Sequence, residues 1–252
     1  MVVEPHDGAK LLASGMRADA RSCTGPIVGV LMLDTRFPRF PGDIGHPESL
    51  PYPSLHRTIE AATVAEVVAN RPLPDTLVER FIEEGRELVD AGAGLLVTSC
   101  GFLHAEQSRL ADAVGVPLIS SALVLLPLVQ SLHGSRGPIG ILTFDARALG
   151  ERHLSGAGSI PIVIEGMQSS AYFHRVISED LLEADASMMR ADAVRAARAL
   201  ARHAPSAVVL ECTNLSPWRN EIRDAFGGVA VFDLHDAIAC CRGALGVNLQ
   251  HR

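Results

Sequence analysis

The sequence lacks the features of a membrane protein and of a nucleic-acid-binding protein. No apolar run approaches the roughly 20 residues that a membrane-spanning helix needs. Lys and Arg number 22 against 29 Asp and Glu, the formal net charge is −7, and the basic residues form no stripe. We therefore expect neither nucleic acid nor a membrane as a partner. The net charge does not exclude a locally positive pocket that binds a small anion.

The N-terminal segment, residues 1–24, lacks a continuous apolar core ahead of a cleavage site. We therefore expect no secretory signal and interpret this segment as a flexible lead. A cytoplasmic location is the resulting expectation, and thiols stay reduced in that compartment.

Recognisable metal and cofactor motifs are also missing. The five cysteines have no zinc-binding spacing, and their odd number argues against a disulfide framework. The sequence has no Gly-rich phosphate loop between a strand and a helix, and no Gly-x-Ser-x-Gly turn. We therefore predict no metal and no cofactor, so that any chemistry comes from ordinary side chains.

What is present is a regular alternation of apolar runs and helical stretches. Apolar residues make up 48% of the 252 residues, which is enough for packed cores. The apolar run Ile27–Leu33 has a counterpart at residues 138–143, where the pattern starts again. The alternation predicts an α/β fold of two similar domains, each a mostly parallel sheet flanked by helices, with the active site in the cleft between them.

A cysteine stands at the end of one apolar run in each half. Cys100 follows residues 95–99, and Cys212 follows residues 208–211. Free backbone N–H groups at a following helix lower the pKa of a thiol and can bind a carboxylate. Two thiols that face each other across a small molecule can move a proton between the two faces of a carbon. The alternative, a small buried packing residue, is weaker for the matched pair than for either cysteine alone.

Other residues at strand ends are candidates, each with a plain alternative. Asp34 follows the first strand and either assists a thiol or caps a turn. Thr143 and Thr213 either donate to a carboxylate or cap helices. Arg36 and Arg39 lie in a long Pro-rich loop and either bind a carboxylate or are solvated surface side chains.

Four segments together resemble the aspartate/glutamate/hydantoin racemase superfamily, whose members need no pyridoxal cofactor. The segments are the opening strand that ends at Asp34, Thr98-Ser99-Cys100, Gly140-Ile141-Leu142-Thr143 and Glu211-Cys212-Thr213-Asn214. The resemblance runs from about residue 27 to the C-terminus. It implies two α/β domains with the site between them, the first formed by residues 25–121 and 234–252 and the second by residues 122–233.

The resemblance also implies a reaction. Cys100 and Cys212 are expected to be the acid/base pair that acts on the carbon next to a carboxylate. Donors for that carboxylate are expected at the matching turns, from Gly101, Phe102, Thr213 and Asn214, with Thr143 and Arg36 as further binding residues and Asp34 as an assisting group. The expected function is that of a cofactor-independent racemase or epimerase, an isomerase of an amino acid or a related small carboxylate.

The sequence departs from the familiar amino-acid racemases after each cysteine. Cys100-Gly101-Phe102 stands where Cys-Asn-Thr is common, and Asn214 stands where His or Glu is common. The first departure changes the side-chain contacts with a carboxylate and indicates a less polar wall at Phe102. The second removes a titrating neighbour of the thiol.

Two other functions stay open at this point. A maleate-type cis–trans isomerase resembles the same family and uses two cysteines, whereas decarboxylases of the superfamily keep only one. A catalytically silent sensor that binds a small ligand suits the same two-lobed plan. A homodimer is the assembly considered, because dimers are the commonest assemblies of soluble enzymes.

Overall fold

The computed structural model describes residues 25–246, apart from residue 135 and residues 159–160. The predicted flexible lead, residues 1–24 with Cys23, lies outside the described residues, as do residues 247–252 of the predicted first domain. The described part contains two four-stranded sheets in which all the paired strands are parallel. The predicted class, two parallel α/β sheets flanked by helices, is confirmed.

The first half contributes four strands and three helices in chain order. They are β1 (Ile27–Leu33), β2 (Ser54–Ile59), α1 (Val64–Val67), α2 (Asp75–Asp90), β3 (Ala93–Thr98), α3 (Gln107–Val114) and β4 (Leu118–Ile119). The strand order in this sheet is β2-β1-β3-β4.

The second half repeats this plan and adds a last helix. Its elements are α4 (Leu126–His133), β5 (Ile139–Thr143), β6 (Ile162–Gly166), α5 (Phe173–Ser178), α6 (Ala186–Ala201), β7 (Ala207–Leu210), α7 (Arg219–Asp224), β8 (Ala230–Phe232) and α8 (Leu234–Gly246). The strand order is β6-β5-β7-β8. Within the described residues, no helix is long and apolar enough to cross a bilayer.

The central strands are the continuous apolar runs of the sequence. Every residue of β5 and β7 is buried, and β1 and β3 are buried over most of their length. This is the pattern of parallel strands covered on both faces. The hydrophobic pattern does not predict β2, because this partly buried edge strand mixes polar and apolar residues and follows the Pro-rich loop.

The strand order reverses at one point in each sheet. From β1 the chain runs to β2 on one side and returns to β3 on the other, and β5, β6 and β7 do the same. Such a reversal opens a crevice at the carboxyl ends of the two central strands. The Pro-rich loop after β1 and the turns after β3 and β7 therefore lie where a ligand binds in this kind of sheet.

The last helix, α8, contacts the first half of the chain. The Arg242 guanidinium donates to the Pro26 carbonyl oxygen over 2.9 Å and lies 4.1 Å from the centroid of the Tyr52 ring. The exact domain bounds stay a prediction.

Candidate active site

The two cysteines singled out in the sequence line one cavity. Cys100 and Cys212 are both buried, and both contribute to the wall of one cavity at the carboxyl ends of the central strands. Residues from both halves complete the wall, so the cavity lies where the two repeated units meet. The fold thus brings together two thiols that are far apart in the chain.

The backbone around the two thiols is nearly the same. Each cysteine has extended backbone angles and precedes a six-residue 3-10 helix, Gly101–Glu106 in one half and Thr213–Trp218 in the other. The backbone N–H groups of Phe102 and Asn214 lower the pKa of the adjacent thiols. The expected regular helix directly after Cys100 is corrected, since a 3-10 turn follows Cys100 and α3 begins only after it.

A side chain from the second half fixes the two turns against each other. The Thr213 hydroxyl donates over 2.8 Å to the carbonyl oxygen of Ser99, the residue before Cys100. The Ser99 hydroxyl in turn accepts from the Leu33 N–H over 3.0 Å. The Thr213 hydroxyl is thus engaged in a contact between the halves, although its residue lines the cavity as predicted.

Asn214 connects Cys212 to the Pro-rich loop. The Cys212 thiol donates to the Asn214 side-chain oxygen over 3.8 Å, and the Asn214 amide donates to the buried Asp43 carboxylate. Asp43 also accepts from the Gly45 N–H over 2.7 Å and from Arg39 over 3.0 Å. Sequence reasoning missed Asp43, because no local pattern joins it to a residue 171 positions away.

Arg39 supplies the positive charge of the site. It is the one basic side chain among the described residues that line the cavity, and only 10% of its side chain is exposed. One guanidinium nitrogen donates to Asp43 and another donates to the Thr35 hydroxyl over 3.1 Å. A guanidinium has five N–H donors, so others stay available to a ligand.

Three of the predicted site residues do not line the cavity. Arg36 is 71% exposed on its side chain and pairs with Asp180 at 3.1 Å, so Arg39 and not Arg36 is the loop arginine at the site. Asp34 is exposed and accepts from the Ala61 N–H over 3.2 Å, in the turn after β2 and not in the turn after its own strand. Thr143 is fully buried behind the wall. Gly101, Phe102 and Asn214 lie in the wall as expected.

The residue that sequence reasoning missed at the centre of the site is Glu211. It is 1% exposed and lines the cavity directly before Cys212. Its Oε2 accepts from the Thr143 hydroxyl over 2.6 Å and from the Phe144 N–H over 3.3 Å, whereas its Oε1 has no partner among the described residues. The sequence contains a signal for Glu211, because it directly follows three apolar residues of a buried strand. The burial of a carboxyl group at such a place costs free energy and therefore indicates a functional role.

Burial sets the protonation of this group of residues. It raises the pKa of Glu211 to about 7, against the hydrogen bonds from Thr143 and Phe144, which lower it. Burial, and then the Glu211 charge, raise the pKa of Cys100 to about 12, while the Phe102 N–H and Arg39 act in the opposite direction. Burial also raises the pKa of Cys212 well above its ordinary value, with added contributions from Glu211, Cys100 and Asp43. Both thiols are therefore protonated while the cavity is empty.

Comparison with solved structures places this architecture in a known class. A variant of arylmalonate decarboxylase matches with a TM-score of 0.56 at 17% identity, covering 88% of this chain and 93% of that one. An aspartate racemase homologue from Pyrococcus horikoshii matches with a TM-score of 0.53 at 15% identity, covering 88% and 99%. The chain has the fold of the aspartate/glutamate racemase superfamily, which confirms the predicted resemblance at the level of fold.

Curated relatives by sequence point to a different reaction. A dimethylsulfoniopropionate lyase from Durusdinium sp. clade D is 27% identical, covering 82% of this chain and 70% of the relative. Dimethylsulfoniopropionate lyase 6 from Emiliania huxleyi is 28% identical, covering 95% of this chain, which spans 62% of the length of that relative. No family model matches the chain.

These relatives correct the predicted activity. The prediction of an enzyme is supported, because the relatives and the structural neighbours named above are enzymes or their homologues. The prediction of a racemase or epimerase is wrong, because relatives that match most of the chain are named lyases. The two alternative predictions, a maleate-type isomerase and a catalytically silent sensor, do not include a lyase activity either. The physical reason is that removal of a proton next to a carboxylate begins both racemisation and elimination.

The close packing around the site requires that residue 101 has no side chain. A Cβ atom there would overlap the Glu211 carboxyl group and carbonyl oxygen and would lie 2.8 Å from the Ser121 hydroxyl. We expect Gly101→Ala to lower the free energy of unfolding by about 1–3 kcal/mol, as overpacking does. Urea unfolding measures this. Gly243→Ala is the control, because a Cβ on that α8 residue meets nothing within 4 Å, and an unchanged midpoint for Gly101→Ala would contradict the packing.

The raised pKa of Glu211 predicts a pH-dependent effect on stability. The folded protein keeps the proton up to about pH 7, whereas an ordinary glutamate loses it near 4.5. The stability associated with the proton is complete below about pH 4.5 and is lost as the pH rises through about 7. Glu211→Gln stays neutral throughout, so we expect it to be more stable than wild type at pH 8, by up to about 3 kcal/mol, and to differ little at pH 4.5.

Thermal unfolding of both proteins across this pH range provides the measurement. Glu183→Gln is the control, because Glu183 is exposed on the surface. A Glu211→Gln protein that gains no stability relative to wild type as the pH rises would show that Glu211 is not held in its neutral form.

Proposed function

We propose that this chain is a lyase that cleaves dimethylsulfoniopropionate, or a close analogue, into dimethyl sulfide and acrylate. The single observation that carries the proposal is the placement of both thiols in one small cavity with Arg39 and Glu211 in its wall. The lyase names of relatives that match most of the chain support the same reaction.

The reaction needs one base and no second reactant. A thiolate removes a proton from the carbon next to the carboxylate, and the electrons of that C–H bond form the C=C bond. The bond between the β-carbon and sulfur breaks, and its electron pair leaves on sulfur as neutral dimethyl sulfide. Acrylate remains, and the proton on the thiol passes to solvent, which restores the site.

Arg39 is the residue proposed to bind the substrate carboxylate. Its guanidinium is positioned by Asp43 and Thr35 and lies 4.8 Å from the centroid of the Phe37 ring. The guanidinium has further N–H donors beyond the two that Asp43 and Thr35 engage. It also stabilises the negative charge that grows on the carboxylate as the α-proton leaves.

Cys100 is proposed as the base. The Arg39 charge and the Phe102 N–H both lower the pKa of its thiol, although burial holds that pKa high in the empty site. Cys212 has Glu211 and Asp43 as negative neighbours, and its thiol donates a hydrogen bond to the Asn214 side-chain oxygen. Its thiol therefore keeps its proton and forms the opposite side of the cavity.

The substrate itself helps to create the thiolate. Dimethylsulfoniopropionate carries a positive sulfonium, and an opposite charge placed near a thiol favours the ionised form. Burial opposes ionisation of Cys100, and so does the negative charge of Glu211 when that acid is ionised. The cation offsets that charge, so that a larger fraction of Cys100 is thiolate when a substrate is present.

Replacement of each thiol tests the proposal. We expect Cys100→Ser to lower kcat by about 10²–10⁴-fold, because a serine hydroxyl is too weak an acid to serve as the base. Cys212→Ser should cost less, because its proposed role requires a donor and not a base. Headspace detection of dimethyl sulfide and NMR detection of acrylate measure the two products. Cys240→Ser is the control, since Cys240 is exposed on α8.

The same assay decides the assignment. Unchanged turnover in Cys100→Ser would overturn the role of Cys100 as base. Wild-type protein that releases no dimethyl sulfide from the substrate would overturn the proposed reaction.

Replacement of the two loop arginines tests the carboxylate site. We expect Arg39→Lys to raise KM by about tenfold with a smaller change in kcat, because an ammonium keeps the charge for Asp43 but loses the planar fork of donors. Arg36→Lys should leave both constants unchanged, since Arg36 pairs with Asp180 away from the cavity. Steady-state kinetics separates the two, and an equal effect of both variants would exclude Arg39 as the carboxylate partner.

A further inference from the structure

Glu211 has one carboxylate oxygen that no protein group satisfies. Oε2 is held by Thr143 and Phe144, but the buried Oε1 has no hydrogen-bond partner among the described residues. A buried polar atom left unpaired is costly and calls for an explanation. Because Glu211 lines the cavity, a ligand group is the available partner.

The charges around the cavity are not balanced at Glu211. Arg39 is already paired with Asp43, which is buried and also accepts from Asn214. Among the described residues that line the cavity no second basic side chain faces Glu211. An ionised Glu211 therefore needs a positive charge from outside the protein.

The rest of the wall suits a cation that carries methyl groups. Two phenylalanines, Phe102 and Phe144, lie in the wall beside Glu211. The Phe144 ring is held by parallel stacking on His174, with ring centroids 4.7 Å apart, and the rings of Phe102 and His153 make a T-shaped contact with centroids 5.1 Å apart. Aromatic faces attract onium cations, and methylated cations lose little hydration when they are buried. Apolar side chains complete this wall, namely Val64, Val68 and Ile177.

Gly101 packs closely against the acid. A Cβ atom at this position would overlap the Glu211 carboxyl group. The first half of the chain therefore approaches the acid through a residue without a side chain, and no side chain of residue 101 comes between the unpaired oxygen and the cavity.

We infer that Glu211 is a specificity-determining residue that binds the onium group of the substrate, so that the site selects zwitterions with a methylated cation at one end and a carboxylate at the other. This inference rests on the proposed function and names its substrate class, which includes sulfonium and quaternary ammonium compounds. The bond-breaking steps stay those described above, and Glu211 takes no proton in them.

A matched pair of ligands, one charged and one uncharged, tests the inference directly. One is the analogue of propanoate with a trimethylammonio group on the β-carbon. The other is its uncharged isostere, in which a tert-butyl group replaces the trimethylammonio group. Calorimetry on the full chain gives the affinity for each. We expect wild type to bind the cation at least about tenfold more tightly, and Glu211→Gln to bind both ligands equally, with the affinity for the isostere preserved.

Equal affinity of wild type for the two ligands would overturn the inference. A preference that survives in folded Glu211→Gln would also overturn it, because the charge of Glu211 would then be irrelevant. If that variant does not fold, difference infrared spectroscopy on wild type near pH 7 decides. The cation should remove a protonated-carboxyl band by ionising the buried acid, and the isostere should not. Absence of that difference counts against Glu211.

The elimination assay on the same preparations keeps the two proposals apart. Preference for the cation without release of dimethyl sulfide would overturn the proposed function and leave the cation site standing. Release of dimethyl sulfide without any preference for the cation would overturn the cation site alone.

Discussion

The buried carboxylate of Glu211 is the constraint on which the site depends. It comes from the end of β7, it is held by the hydroxyl and N–H groups at the end of β5, and it lies against Gly101 at the end of β3. Three strand ends are thus held together around one acid. Because such a group is costly to bury, the surrounding contacts have to be tight, and this tightness brings the turns of Cys100 and Cys212 to one cavity.

The two halves have similar backbones but different chemistry. The same strand, cysteine and 3-10 turn occur twice, yet Ser99 precedes one cysteine and Glu211 precedes the other. Arg39 and Asp43 both come from the loop after β1. Reversible proton exchange between two faces of a carbon favours two equivalent bases. A thiol near a guanidinium opposite a thiol near two carboxylates is better suited to a reaction that removes one proton and expels a leaving group.

Sequence patterns were sufficient for the frame of this site. The buried central strands are continuous apolar runs, and the turn after each strand places Cys100 and Cys212 at the reversal points of parallel sheets. The choice of Arg39 over Arg36 was not accessible, because it depends on which loop side chain meets Asp43 and which meets Asp180. The reaction was not accessible either, since thiols beside a carboxylate site begin racemisation and elimination by the same step.

Burial of the two thiols protects them from oxidation. A thiolate, and not a thiol, is the form that oxidises and exchanges disulfides. Two cysteines in one cavity would be prone to oxidation to a disulfide if either were ionised at rest, but burial keeps both protonated, and Glu211 adds to this effect when it is ionised. A cation that enters the cavity reverses the effect of Glu211 at the moment when a base is needed. Burial therefore holds the thiols protonated at rest, and the charge of the substrate itself favours the thiolate in the occupied site.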